Sequence, residues 1–282
     1  MPLVDGYLIG VVSFSHMQIS HTQWAGAIII IILAAGGWWY ATKKAPALVV
    51  EKVPVTATSS VPSTQPTSTA SLPAPAVAYA GPFPTNAADT IVSWSFKGAY
   101  SGNDTLVTQA KADIDKLTGL MGQGKYDDYD LYIGIANDYG LMGDGKTAYN
   151  NYDKAVRIHP GKGLAYANLG NLFDQLGAYR TAADAYAKAT AAEPRQLEYH
   201  LERLNYLVER FSADTARVSA AFADASHQFG DTASVLAIEA RWLTEEKRYA
   251  DAIKALQTVK ALSPGKDTST IDAQIARLQA KQ

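Results

Sequence analysis

Residues 163–194 read GLAYANLGNLFDQLGAYRTAADAYAKATAAEP, and residues 129–160, 34 positions earlier, read YDLYIGIANDYGLMGDGKTAYNNYDKAVRIHP. The two stretches align without a gap. Tyr132, Ile135, Ala136, Tyr139, Gly143, Ala148, Tyr152, Ala155 and Pro160 stand at the offsets of Tyr166, Leu169, Gly170, Phe173, Gly177, Ala182, Tyr186, Ala189 and Pro194. Within each stretch the large residues recur at three- and four-residue steps, the period of a helix, on both sides of a central glycine. Each unit therefore predicts two helices joined by a tight turn. Small residues such as Gly170 and Ala182 let the pair approach closely, aromatics fill the space between neighbours, and proline ends the second helix.

Large residue, Leu-Gly, aromatic, Ala, aromatic, Ala and a closing Pro at a period of 34 resembles the tetratricopeptide repeat. The resemblance covers roughly residues 126–282. A further unit begins near Ala233 with Leu236, Ala240, Leu243, Tyr249, Ala252, Leu256 and Pro264. Between them residues 197–228 form a degenerate unit, with Leu197, Leu201, Leu204 and Phe211 at helical spacing but without the glycine and proline signatures. Ile271, Ile275 and Leu278 make an amphipathic C-terminal cap. The expected fold is all-α: a tetratricopeptide-type helical solenoid of about four repeats with capping helices.

The N-terminal third has a different composition. Residues 24–41 read WAGAIIIIILAAGGWWYA, and no Asp, Glu, Lys or Arg occurs from residue 6 to residue 42. Eighteen helical residues rise about 27 Å, near the thickness of a hydrocarbon core, with Trp24 at one end and Trp38, Trp39 and Tyr40 at the other. We read 24–42 as a single-pass transmembrane helix behind a tail of residues 1–23. A signal peptide fits poorly, because no basic region precedes the apolar run. Lys43 and Lys44 weigh slightly toward cytoplasmic repeats, the Thr/Ser/Pro-rich stretch that follows resembles an extracytoplasmic stalk, and both orientations stand. Either Met1 or Met17 serves as the start. Residues 43–90 read as an extended spacer, with seven prolines from residue 53 onward. Residues 91–125 form an N-terminal capping segment: an aromatic piece at 91–101, then a helix over 104–121 capped by Asn103 or Asp104 and stopped at Gly122.

Bulk composition excludes several functions. With 25 basic against 27 acidic residues there is no cationic face for nucleic acid, and with no cysteine there is no thiolate metal site or nucleophile. Residues 140–147, GLMGDGKT, fit the phosphate-loop pattern, with Lys146 for phosphate and Thr147 for magnesium. That loop works only between a strand and a helix, and here it falls at the turn inside a repeat. His159, His200 and His227 have no ligand spacing, and Asp224, Ser226 and His227 do not converge as a triad; we read all of these as surface residues. No catalytic residue, metal, cofactor or small-molecule substrate is expected.

The resemblance implies that the first helix of each repeat lines a concave groove. Its ninth position is Asn137, Asn171 and Asn205 in three successive repeats and Arg241 in the fourth, with Asp174 nearby. An asparagine amide carries both donor and acceptor, so a row of them can pair with the backbone of an extended peptide. Equally, asparagine is an ordinary polar residue for a solvated helix face. The lysines that family members use to clamp a C-terminal carboxylate are missing, with Ile133 and Ala167 at the neighbouring inward position. The expected function is a membrane-anchored adaptor holding a protein or peptide in this groove. The alternatives are a structural subunit of a cell-envelope assembly using its convex side and, remotely, a nucleotide-binding enzyme through GLMGDGKT.

Overall fold

The computed structural model describes residues 82–282. Among them are ten helices and no strand: α1 (Asp104–Leu120), α2 (Asp128–Met142), α3 (Gly145–Ile158), α4 (Leu164–Gln175), α5 (Tyr179–Ala192), α6 (Leu197–Phe211), α7 (Thr215–Phe229), α8 (Ala233–Glu245), α9 (Tyr249–Ala261) and α10 (Ser269–Gln279). Helices α2/α3, α4/α5, α6/α7 and α8/α9 form hairpins, each packed on the next, with α1 against α2 and α10 against α9. This is an α solenoid. The membrane span read at 24–42 lies outside the described residues, and among the described ones no helix is long and apolar enough to cross a membrane.

The hairpins repeat because their turns repeat. Gly143 and Gly177 take positive φ of 88° and 75°, a conformation that costs a residue without Cβ almost nothing. The next amide then returns to the helix: Asp144 N donates to Tyr139 O and, 34 residues on, Ala178 N donates to Phe173 O, both at 2.9 Å. The fourth hairpin makes the same bond from Arg248 N to Leu243 O at 2.8 Å. There, Lys247 stands where the glycine should be, at φ 60°, which strains the turn by roughly 1 kcal/mol. Inside the hairpins, Ala148, Ala182 and Ala252 are fully buried at one repeat position. A Cβ on Gly170 would meet the Tyr186 ring at 2.8 Å, so glycine is what lets α4 lie on α5.

One boundary of the sequence reading is corrected. Residues 83–90, assigned to the spacer, pack on the solenoid as the start of a strap across α5 and α3. Phe83 is 3% exposed against Tyr166 and Phe173; its N–H donates to the buried Asp153 carboxylate at 2.8 Å, and its carbonyl accepts from the Tyr149 hydroxyl at 2.9 Å. Asn86 N–H donates to Thr181 Oγ1 at 2.9 Å. Further on, Trp94 O accepts from Gly145 N, Phe96 N donates to Gly143 O, and Tyr100 N donates to Leu141 O, which carries the strap into α1. The composition of this stretch, with prolines at 82 and 84, does not reveal that Phe83 finds a crevice to fill.

The strap also completes a helix. Asp144 caps α3, its carboxylate accepting from Thr147 N at 3.0 Å. The same position of the next repeat is Ala178, which has no capping side chain. Asp89 supplies the carboxylate instead, accepting from Thr181 N at 2.6 Å and Thr181 Oγ1 at 2.7 Å. We expect Asp89→Ala to lower stability by roughly 1–2 kcal/mol and Phe83→Ala by roughly 3–5 kcal/mol, measured by urea denaturation. Ala178→Asp should recover much of the Asp89→Ala loss.

Candidate functional site

The first helices of the hairpins lie side by side and are stitched by a ladder of polar contacts. Between α2 and α4, Asn168 Nδ2 donates to Asn137 Oδ1 at 3.4 Å. Between α4 and α6, Arg210 donates to both oxygens of Asp174, at 2.9 and 3.1 Å. Between α6 and α8, Arg241 donates to Asn205 Oδ1 at 2.9 Å. All five residues singled out from sequence, Asn137, Asn171, Asn205, Arg241 and Asp174, thus lie on one face, and four of them bind each other or a neighbouring first helix.

The asparagines also serve their own hairpins. Asn137 Oδ1 accepts from the Tyr152 hydroxyl at 2.5 Å, and Asn171 Oδ1 accepts from the Tyr186 hydroxyl at 2.8 Å. The two bonds are the same bond, 15 residues apart in sequence and repeated after 34. Tyr152 and Tyr186 are buried, and a phenol taken out of water needs an acceptor. Asparagine at this position therefore has a structural use, which turns its oxygen toward the second helix. Asn171 is exposed. Asn137 is half-buried, and its Nδ2 is buried with no hydrogen-bond partner, an omission that costs roughly 1–3 kcal/mol.

Carboxylates crowd two places near this face. On α6, Glu198 and Glu202 lie one turn apart on the stripe that carries Asn205. Surrounding side chains desolvate the Glu202 carboxyl although the residue keeps an exposed edge; with the Glu198 charge they push its pKa up to about 7. At the junction of α1 and α2, burial and the Asp113 charge push Asp138 up to about 7 as well. Neither residue was singled out from sequence as a site residue, because the spacing of Asp113 and Asp138 says nothing until α1 is laid on α2.

The remaining sequence candidates resolve plainly. Residues 140–147 run from the end of α2 into α3, with Asp144 bonded to Thr147 by both backbone and hydroxyl. Backbone atoms of Trp94 and Phe96 take the polar groups of Gly145 and Gly143, and Lys146 sits 4.5 Å from the Trp94 ring centroid. That arrangement is a helix–turn–helix corner covered by the strap rather than a phosphate cradle. His200, read as a surface residue, is instead 2% exposed, its Nε2 3.1 Å from Pro194 O and its ring edge-on to Phe229. Its helical phase turns it into the α6/α7 seam, where burial lowers its pKa. Among the described residues no group of His, Cys, Asp or Glu could hold a metal ion.

No protein-family model matches the chain, and no curated protein matches it. Several solved structures are similar to the chain at low identity. One is YrrB, described as a tetratricopeptide-repeat protein with an unusual peptide-binding site: 17% identity, 63% of this chain and 87% of that one, TM-score 0.43. Another is a tetratricopeptide repeat protein from Parabacteroides merdae: 15% identity, 63% and 76%, TM-score 0.44. A third is MamA: 16% identity, 59% and 92%, TM-score 0.42. The fold stands on the helix series itself.

Two outcomes follow from this geometry. Asn137→Ala and Tyr152→Phe should each destabilise, and the double variant should lose less than their sum by roughly 1 kcal/mol, read by a denaturation cycle. The raised Asp138 pKa means that the folded state holds a proton the unfolded chain has released. Its contribution is complete below the ordinary carboxylate range and lost as pH rises through about 7. Asp138→Asn should therefore flatten the fall in Tm between pH 5 and pH 8.

Proposed function

We propose that this chain is a tetratricopeptide-type interaction module whose first-helix face holds an extended segment of a protein partner, tethered to a membrane by residues 24–42. The observation that carries the reading is the orientation of Asn171. The buried Tyr186 hydroxyl takes the oxygen of this exposed residue, which leaves its amide donors for a ligand, whereas the Asn137 amide nitrogen is itself buried. Amides fixed in this way read peptide carbonyls irrespective of side chain, the recognition that an extended backbone needs. Prior fixation lowers the ordering cost of binding. The tether rests on the apolar run of residues 24–41 and its aromatic ends.

The test is site-specific photo-crosslinking of the full chain in its native membranes, with the crosslinker at Gln175 beside Asn171 or at Lys254 on the second helix of the fourth hairpin. The chain should stay with the membrane pellet in an alkaline wash and leave it when residues 24–42 are deleted. A protein crosslinked from position 175 and not from 254, and lost when Asn171→Ala is added to a Tyr186→Phe background, is the expected result. That background already lacks the Tyr186–Asn171 hydrogen bond, so the alanine change is read without its loss. Crosslinks confined to position 254 would point to assembly through the second-helix side and overturn the reading.

A further inference from the structure

The strap is docked in two parts. Residues 94–100 are fixed to the corner between α2 and α3, where Trp94 O accepts from Gly145 N at 2.8 Å, Phe96 N donates to Gly143 O at 3.1 Å and Tyr100 N donates to Leu141 O at 2.9 Å. Residues 83–91 lie on α3 and α5 instead, held by Phe83, Asn86, Asp89 and the half-buried Ile91. Between the two parts stand Val92, 92% exposed, and Ser93, whose hydroxyl bonds only within the strap, to Ser95. Residues 92 and 93 are thus a two-residue hinge without a hydrogen bond to the solenoid. Residues 94–100 and α1 keep their contacts when 83–91 leave theirs.

The crevice that receives residues 83–91 grips a chain segment by its backbone. Asp153, 2% exposed, accepts from Phe83 N–H at 2.8 Å, and the Tyr149 hydroxyl donates to the Phe83 carbonyl at 2.9 Å. Fully buried Thr181 accepts from Asn86 N–H at 2.9 Å. Tyr166 and Phe173 bed the aromatic side chain, and the N-terminus of α5, uncapped by its own Ala178, takes the Asp89 carboxylate. Emptied, the crevice would leave the buried Asp153 with Arg157 as its remaining partner and α5 without a cap, which is costly. It therefore needs an occupant. None of these contacts depends on whether that occupant is joined to the same solenoid.

We propose that the crevice on α3 and α5 also takes residues 83–91 of a second copy of this chain, so that two chains latch by exchanging straps. The latch contacts are the same within one chain and between two, and what separates the two states is connectivity and concentration. Short hinges invite such exchange, because they leave little slack for closing back on the same molecule. Where two hinges cross, the exposed Val92 side chains leave water together, an apolar contact that the single chain lacks. This interface lies on the second-helix side and does not depend on the first-helix face being a binding face.

Because the chain has no cysteine, the exchange can be trapped with introduced thiols. Asn86 Nδ2 and Asp184 Oδ2 meet at 2.9 Å. Full chains carrying Asn86→Cys and full chains carrying Asp184→Cys, with tags of different size, are mixed, oxidised with copper phenanthroline and run on a non-reducing gel. The hetero-disulfide should exceed that of a control pair, Asn86→Cys with Lys254→Cys, by about tenfold, since a docked strap holds its thiol at high effective concentration. Adding Phe83→Ala to the Asn86→Cys chain should return it to the control level, because the arm loses its aromatic anchor. One chain carrying both Asn86→Cys and Asp184→Cys should oxidise to a mixture of monomer and dimer. Oxidation of that double variant to monomer alone, with the hetero-disulfide at the control level, would overturn the exchange. A hetero-disulfide that Phe83→Ala leaves unchanged marks random collision and overturns it too. A double variant that forms no disulfide at all would overturn the docking of the strap on α5, and the exchange with it.

Discussion

The architecture depends on how closely two helices of a hairpin can approach. Ala148, Ala182 and Ala252 are fully buried at one repeat position, and Gly170 lies against the Tyr186 ring with no room for a methyl. Close approach brings the second-helix tyrosine under the first helix. Its ring then fills the hairpin core and its hydroxyl is removed from water. A hydroxyl in that position requires an acceptor, and asparagine at the ninth position of the first helix is the residue in reach. The chain from small residue to tyrosine to asparagine links packing in the core to polarity on the surface. A larger residue at Gly170 would disturb all three.

The strap follows from the same economy of small residues. Helices with alanine-rich faces leave shallow crevices between hairpins, and an isolated array of this length has limited apolar surface to bury. Phe83 fills one such crevice against Tyr166 and Phe173, and Asp89 supplies α5 with the cap that Ala178 lacks. The turn glycines at 140–147 are then covered by Trp94 and Phe96, which is the physical reason a phosphate-loop match in the sequence has no phosphate site in the fold.

Charge is arranged on top of this packing. First helices shed lysine and second helices gather it, so the array has an acidic side and a basic side. Arg210 pairs with Asp174 and Arg203 with Asp224, while Arg241 keeps its charge beside the neutral Asn205 amide. Part of the candidate face is legible in the sequence: the asparagines at a spacing of 34 do share one face. The use of Asn137 and Asn171 as acceptors for Tyr152 and Tyr186 is not legible, because a core tyrosine's spacing places its ring but not the neighbour its hydroxyl meets.

By itself the sequence determined what is periodic. Helical hairpins, their turns at Gly143 and Gly177 and the phase of the core all repeat within the reach of a few helical turns, and local sterics fix them wherever the chain is placed. Tertiary structure alone decided which side chain meets which across distant segments. Asp89 caps a helix some 90 positions away, His200 is buried while Glu198 and Glu202 beside it keep exposed edges, and Asp138 is pushed up by burial and by Asp113 of another helix. The reason is that aspartate, histidine and phenylalanine are compatible with many local settings. Only the surface that arrives opposite them selects one partner, and that surface exists once the hairpins have stacked.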